Sequence, residues 1–412
     1  MALTNSHLSH ASDPTARPVA PPREAAPVHQ ALPTQWRRVF GLREMGVYYA
    51  LLILVLVLAV ASAYTGRVSY LSMQNITNVM HQSSLTAVMA IAMTVILITG
   101  NFDLSVASVA ALSAAVLIGL ADSIGFWPAV GAAMLVAVLA GLLNGAIVQY
   151  VGINAFIVTL GTLTAIRGIV LIYTDGRSLS VESPEVIASM RAFESGRVAI
   201  GLPLICIGAV LLFAGAAAAL RRRREGRGLS PASLGMLMGG VCAIAVGAVG
   251  GSELSVSKAV IYMLIFASLV WFVLTFTTVG RKLYAVGGNP EAARLSGINV
   301  SRYRMAAFIL CSAAAGFAGV MFGSRLRSIN PAALQGAELT VIASAILGGT
   351  SLFGGAGSVV KTLAGAMLLF TLTNGFNMLN LGANYQGLIE GTVIVIAAAI
   401  YTVGGHGRAR AH

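Results

Sequence analysis

Asp103 and Glu338 are carboxylates at the openings of apolar runs, and Arg167 lies inside another, so these residues raise the question of chemistry first. Asp103 with Ser105 two places on suits a helix N-terminus at a membrane interface, where an oxygen accepts a free backbone N–H. Fully enclosed, the same carboxylate would instead order a broken segment beside a path for something polar. Glu338 divides likewise between a favourable helix dipole and a contact on such a path. Arg167 stands close enough to the end of its run to snorkel and reads as structural. Catalysis finds no footing. Of six histidines (His7, His10, His29, His81, His406 and His412), only His81 falls in the apolar body, and no metal-ligand spacing accompanies it. Cys206, Cys242 and Cys311 sit in apolar runs without His partners and are expected as buried helix residues. GAGSVVKT, residues 355–362, has the first Gly, the Lys and the Thr of a phosphate-binding loop, but Val360 stands where that loop needs Gly. No metal, cofactor or nucleotide site is therefore expected in this chain.

A second constellation is the polar island GRKLYAVGGNPEAARLSGINVSRYR, residues 280–304, set between two long apolar runs. Asn289 can cap a helix, Pro290 suits its first position, Glu291 favours the positive end and Gly297 can close it. Ala292 and Leu295 then share a face at i,i+3 spacing, with Glu291 and Arg294 paired beside them, so a small apolar knob is flanked by charge. Such a knob could dock on another protein; the plainer reading is a connection tidied by a short helix.

The elements that must position these residues are transmembrane. With 57% hydrophobic and 10% charged residues and a mean hydropathy of +0.85, the 412-residue chain lies far from soluble domains. The net charge of +12 does not point to nucleic acid, because Arg and Lys gather between apolar runs, where they encode topology. Residues 1–45 read as a disordered tail. A transmembrane domain follows over 46–403, with apolar runs at 46–64, 77–99, 104–121, 128–149, 155–174, 198–220, 234–250, 259–278, 304–324, 337–349, 358–379 and 387–403. An all-α polytopic bundle of about 10 to 12 spans, some broken or re-entrant, is expected. A cytoplasmic N-terminus, favoured by Arg37, Arg38 and Arg43, places Arg221 to Arg224, the 280–304 island and the tail 404–412 inside; Arg177, Arg191, Arg197, Arg325 and Arg327 fall outside, against the bias.

Residues 337–347 would make about 16 Å of helix, half a hydrocarbon core. Gly348, Gly349, Gly354, Gly355 and Gly357 follow, and unwound backbone at membrane depth needs protein or a water-filled path around it. ILITGNFDLSVASV from Ile96 can be laid on ILGGTSLFGGAGSV from Ile346 without a gap, and both copies reach an Asn-Gly pair, Asn144-Gly145 and Asn374-Gly375, at different offsets. Asp103, Ser105, Asn144, Glu338, Thr350, Ser351 and Asn374 are the resulting candidates for a translocation path.

GGNPEAARLSGINV closely resembles the cytoplasmic coupling segment of permease subunits in ribose- and xylose-type ATP-binding-cassette importers. GNFDLSVASVAAL at 100–112, FIVTLGTLTAIRG at 156–168 and the stretch 336–379 are similar to the same family, with departures at Asn101, Ala107, Thr340, Lys361 and Thr371. The resemblance implies that Gly287, Gly288, Asn289, Glu291, Ala292, Ala293, Arg294, Leu295 and Gly297 meet a separate cytoplasmic ATPase with two nucleotide sites, which uses ATP with Mg. It also implies a second copy of the chain, an external sugar-binding protein and a bacterial inner membrane around the bundle. Two extra runs in the insertion 198–250 resemble the xylose-type branch, so a pentose or related monosaccharide is the expected solute. The alternatives are an ion-coupled secondary carrier using Asp103 or Glu338, a permease for a nucleoside or other polar solute, and a scaffold.

Overall fold

The computed structural model describes residues 42–380 apart from 66–68, 226–229 and 252–253, together with 387–388 and 391–392. The tail before residue 42, the run at 387–403 and the tail 404–412 therefore lie wholly or mostly outside the described residues. The described residues are mainly helical: α1 Leu42–Tyr64, α2 Met73–Ile98, α3 Val106–Ile124, α4 Phe126–Ala146 with a π-helical turn at Ile147–Val151, and α5 Ala155–Tyr173. Then come β1 Leu179–Ser180, α6 Pro184–Glu194, β2 Arg197–Ala199, the hairpin α7 Gly201–Arg224 and α8 Pro231–Gly250, and β3 Ser255–Ser257. The remainder is α9 Lys258–Phe276, α10 Thr278–Gly288, α11 Pro290–Leu295, α12 Val300–Leu326, β4 Ser328–Ile329, α13 Ala337–Leu347 and α14 Val359–Leu379.

Ten of these helices are long and apolar enough to cross a membrane. α13 is not: at eleven residues it has the half-depth length read from its sequence. α1 begins four residues before the expected span, because Arg43 and Glu44 hid its first turn from a reading based on apolarity.

Burial sorts the helices into a centre and a rim. The most apolar window of α2 is 89% buried and those of α3 and α12 are 72% and 61%, against 11% for α1 and α7. Small residues explain how the centre closes up, since backbones in lipid associate by close packing rather than by a hydrophobic drive. A Cβ on Gly319 of α12 would stand 2.1 Å from the Ala110 carbonyl oxygen of α3, and one on Gly316 would stand 2.3 Å from Ala137 of α4. The α7–α8 hairpin uses the same device on itself: Gly201, Gly208 and Gly215 face Gly247, Gly240 and Leu237, and the three glycines are the only buried residues of α7. Its neighbours in sequence, β2 and β3, pair antiparallel from Arg197↔Ser257 to Ala199↔Ser255. Cys206 and Cys242 on this hairpin are exposed and only Cys311 is buried, because a glycine seam fills the interface and turns the other side chains outward.

Candidate functional site

Asp103 lies between α2 and α3 and is not the interfacial cap its sequence position favoured. It is fully buried, and no side chain caps α3. Its Oδ1 accepts from the Ser105 N–H at 2.9 Å and the Ser105 hydroxyl at 2.5 Å, and that hydroxyl accepts in turn from Asn144 Nδ2 of α4 at 2.9 Å. The chain of bonds fixes the break between α2 and α3 against α4. Asp103 Oδ2, Asn144 Oδ1 and the Ser312 hydroxyl of α12 have no partner in the same fully enclosed region, and Ser312 is close enough to act on the carboxylate. Of the seven path candidates, these are the three that the fold brings together: Asp103, Ser105 and Asn144.

The other four are dispersed. Glu338 opens α13 with Oε2 buried and unpartnered, and its charge acts on Arg167, whose Nη1 donates to the Ala333 carbonyl at 2.5 Å. Arg167 thus turns inward to the backbone ahead of α13 rather than outward to water. Thr350 is buried with an unpartnered hydroxyl, and the Ser351 hydroxyl accepts from the Phe353 N–H. Asn374 reaches across to Asn75 of α2, whose own amide donates to the Tyr70 carbonyl. Asn144 and Asn374 consequently sit in unlike places, one on α4 and one within α14, and the Asn-Gly pairs are not equivalent.

The two segments laid against each other in the sequence do meet in space. Gly355 N–H donates to the Ile98 carbonyl at 2.9 Å, and the Thr94 and Thr362 hydroxyls bond at 2.7 Å. Gly287 of α10 closes this junction from the third side: a Cβ there would fall 1.7 Å from the Ile98 carbonyl oxygen and 2.8 Å from the Gly355 nitrogen. Gly354 and Gly355, with φ of +87° and +72°, provide turns that residues with a Cβ resist. Tyr284 of α10 adds a tether, its hydroxyl donating to the Gly357 carbonyl at 2.9 Å. Burial pushes that phenol above its usual range. Gly287 is accordingly a joint and not part of an exposed contact surface.

From this joint α10 runs into α11. Asn289 Oδ1 accepts from the N–H groups of Glu291 and Ala292, Pro290 takes the first turn, and Gly297 has φ of +77°, so the punctuation is as its residues prescribe. Ala293 is buried against Val286 and Val300 and anchors the short helix. Gly288, Glu291, Ala292 and Arg294 face outward, and Leu295 is 86% exposed. Leu295 thus stands uncovered on the outer face of a short helix that Ala293 pins from behind.

The family described as "Branched-chain amino acid transport system / permease component" matches residues 75–398, from the first turn of α2 through α14. The chain belongs to this permease family. Among its curated relatives is the ribose import permease protein RbsC of Escherichia coli (strain K12), 31% identical over 361 residues, covering 87% of this chain and 94% of that protein. The xylose transport system permease protein XylH of the same strain is 32% identical over 369 residues, covering 87% and 92%. RbsC of Bacillus subtilis (strain 168) is 30% identical over 382 residues, covering 90% and 97%. No solved structure matches. The resemblance read from GGNPEAARLSGINV and its companion stretches is therefore that of a true member of the permease family.

One cluster of this permease escaped the reading of its sequence. Glu194, fully buried at the end of α6, accepts from Arg325 Nε at 2.7 Å and lies 3.2 Å from His81 Nε2. The Ser195 hydroxyl donates to its other oxygen at 2.6 Å, Arg325 Nη2 donates to the His81 carbonyl at 2.9 Å, and His81 Nδ1 meets the Ser257 hydroxyl at 2.6 Å. This network ties α6 to α2, β3 and α12 and accounts for Arg325, which stood against the charge bias. Among the described residues no group of three or more His, Cys, Asp or Glu could hold a metal.

Proposed function

We propose that this permease is the membrane-spanning subunit of an ATP-driven importer for a monosaccharide, a pentose or a close relative, in a bacterial inner membrane with both termini cytoplasmic. Two copies would form one pathway. An external binding protein would deliver the sugar, and a separate cytoplasmic ATPase with two nucleotide sites would use ATP with Mg, the permease binding no nucleotide itself. The sugar-import names of the relatives support the class of solute. The two-run insertion, present here as the α7–α8 hairpin, supports the xylose-like branch.

The observation that carries the mechanism is the single path from the exposed knob of α11 to both breaks, the one between α2 and α3 and the glycine-rich one after α13. Leu295, with Glu291 and Arg294 beside it, is the contact for the ATPase; Ala293 and the Asn289 cap make α11 one piece with α10. At the end of α10 that adjoins α11, Gly287 and Tyr284 touch the backbone of 98–100 and 354–357. Movement of α11 when the ATPase halves close thus reaches the two segments of the permease that are unwound at membrane depth. Asp103, Ser105 and Asn144 hold one of those segments in shape, while Thr350 and Ser351 sit in the other, where weak polar contacts let a sugar pass without being trapped.

The test is co-purification followed by reconstitution with the partner ATPase and sugar-loaded binding protein. Glu291→Ala, Arg294→Ala and Leu295→Asp are expected to insert normally and assemble poorly, with uptake per ATP hydrolysed falling about tenfold or more, as for loss of a central interface residue. Unchanged coupling in all three variants would overturn the assignment of α11. Uptake that survives ATP depletion and collapses with an ion gradient would replace the importer by a carrier using the buried Asp103.

A further inference from the structure

Beside α11 the bundle holds a cavity of about 540 Å³ that neither the Asp103 cluster nor the glycine junction uses. Its volume falls within the roughly 300–1,000 Å³ of sites that take small molecules. The walls are apolar, with Phe266 and Leu269 from α9 and Leu310 from α12 among them. Leu269 is 58% exposed, so one wall continues onto the outer, lipid-facing side of α9. Two cations, Lys282 of α10 and Arg302 of α12, line the same space and are exposed, and among the described residues neither pairs with a carboxylate.

We propose that this cavity binds one anionic phospholipid, an acyl chain lying between α9 and α12 and the phosphate held by Lys282 and Arg302. Apolar walls open to the bilayer suit a hydrocarbon chain, and burying that chain supplies the affinity. The two unpaired cations at one end then select a negative headgroup over a neutral one, as basic side chains at a membrane surface do. A free phosphate would meet the cations but leave the walls empty. The site has a consequence for transport that rests on the reading of α11 as the coupling helix. Gly297 and Ile298, the stop of α11, belong to the cavity wall, so a seated lipid braces the helix from the side opposite its exposed knob.

Native mass spectrometry of the full chain in neutral detergent, titrated with phosphatidylglycerol or phosphatidylcholine, tests the site. The natural chain is expected to take up one phosphatidylglycerol in preference to phosphatidylcholine. Lys282→Ala/Arg302→Ala should lower the affinity for phosphatidylglycerol roughly thirtyfold while leaving phosphatidylcholine unchanged. Ala306→Trp, which fills the cavity, should exclude both. Arg221→Ala/Arg223→Ala, which removes cations from the end of α7 instead, should change neither. Thermal midpoints show that each variant is folded, and Lys282→Gln/Arg302→Gln replaces the alanine pair should that pair unfold. Equal phosphatidylglycerol affinity in natural and cavity variants would overturn the proposal, as would an equal loss from the α7 variant or displacement of the lipid by glycerol phosphate. This measurement involves no ATPase, so it stands or falls apart from the importer reading. In the reconstituted importer, coupling that does not respond to phosphatidylglycerol would overturn the bracing role.

Discussion

At the scale of residues, the molecule is most constrained where a side chain has been removed or enclosed. Gly287 has room for a hydrogen and nothing larger, so Gly287→Ala should destabilise the folded chain by about 1–3 kcal/mol, the usual cost of overpacking. Gly161→Ala on α5, where nothing lies within 4 Å, should be neutral or slightly stabilising; thermal midpoints in detergent compare the two. Asp103→Leu strands the Ser105 donors in a dry interior and should cost about 1–3 kcal/mol per orphaned group, whereas Asp103→Asn keeps an acceptor and should lose less. Residue types announced part of this. A carboxylate with serine two places on invites an Asx-type bond, and that bond exists; that Asn144 completes the cluster depends on packing across α4, which no local spacing encodes.

The element scale separates what composition specifies from what it leaves open. Spans were legible because lipid demands long apolar stretches with internally bonded backbones, and the short α13 was legible because eleven residues cannot cross. α11 was legible from Asn289, Pro290, Glu291 and Gly297, since caps act on their own chain within a few residues. Asn289→Ala should weaken that short helix by about 1 kcal/mol and lower coupling without altering insertion, seen as slower uptake at equal membrane content. The network on α6 was opaque for the opposite reason: Glu194 and Arg325 are 131 residues apart. Arg325→Ala leaves the fully buried Glu194 short of its cation and should cost about 3–5 kcal/mol, and Glu194→Gln in the same chain should recover part of that loss in a double-mutant cycle.

Taken as a whole, the permease is a closely packed centre of α2, α3 and α12 with less buried helices around it, and the α7–α8 hairpin is the most self-contained of these. Replacing residues 200–254 by a two-residue Asn-Gly turn between β2 and β3 should leave the remaining bundle folded, with a thermal midpoint within a few degrees of the parent. Gel filtration and thermal unfolding check it, and aggregation of the shortened chain would show that the hairpin supports the bundle after all. The sequence marked those two runs as extra, but their independence rests on a glycine seam that pairs Gly208 with Gly240 and so satisfies each helix with the other. Because the hairpin leaves and rejoins the bundle at one paired ribbon, it adds an even number of crossings, and every later segment keeps its side of the bilayer whether it is present or not. A lineage could therefore gain or shed such a unit in one genetic event without inverting the machine downstream, and an engineer could use the same port to graft a reporter.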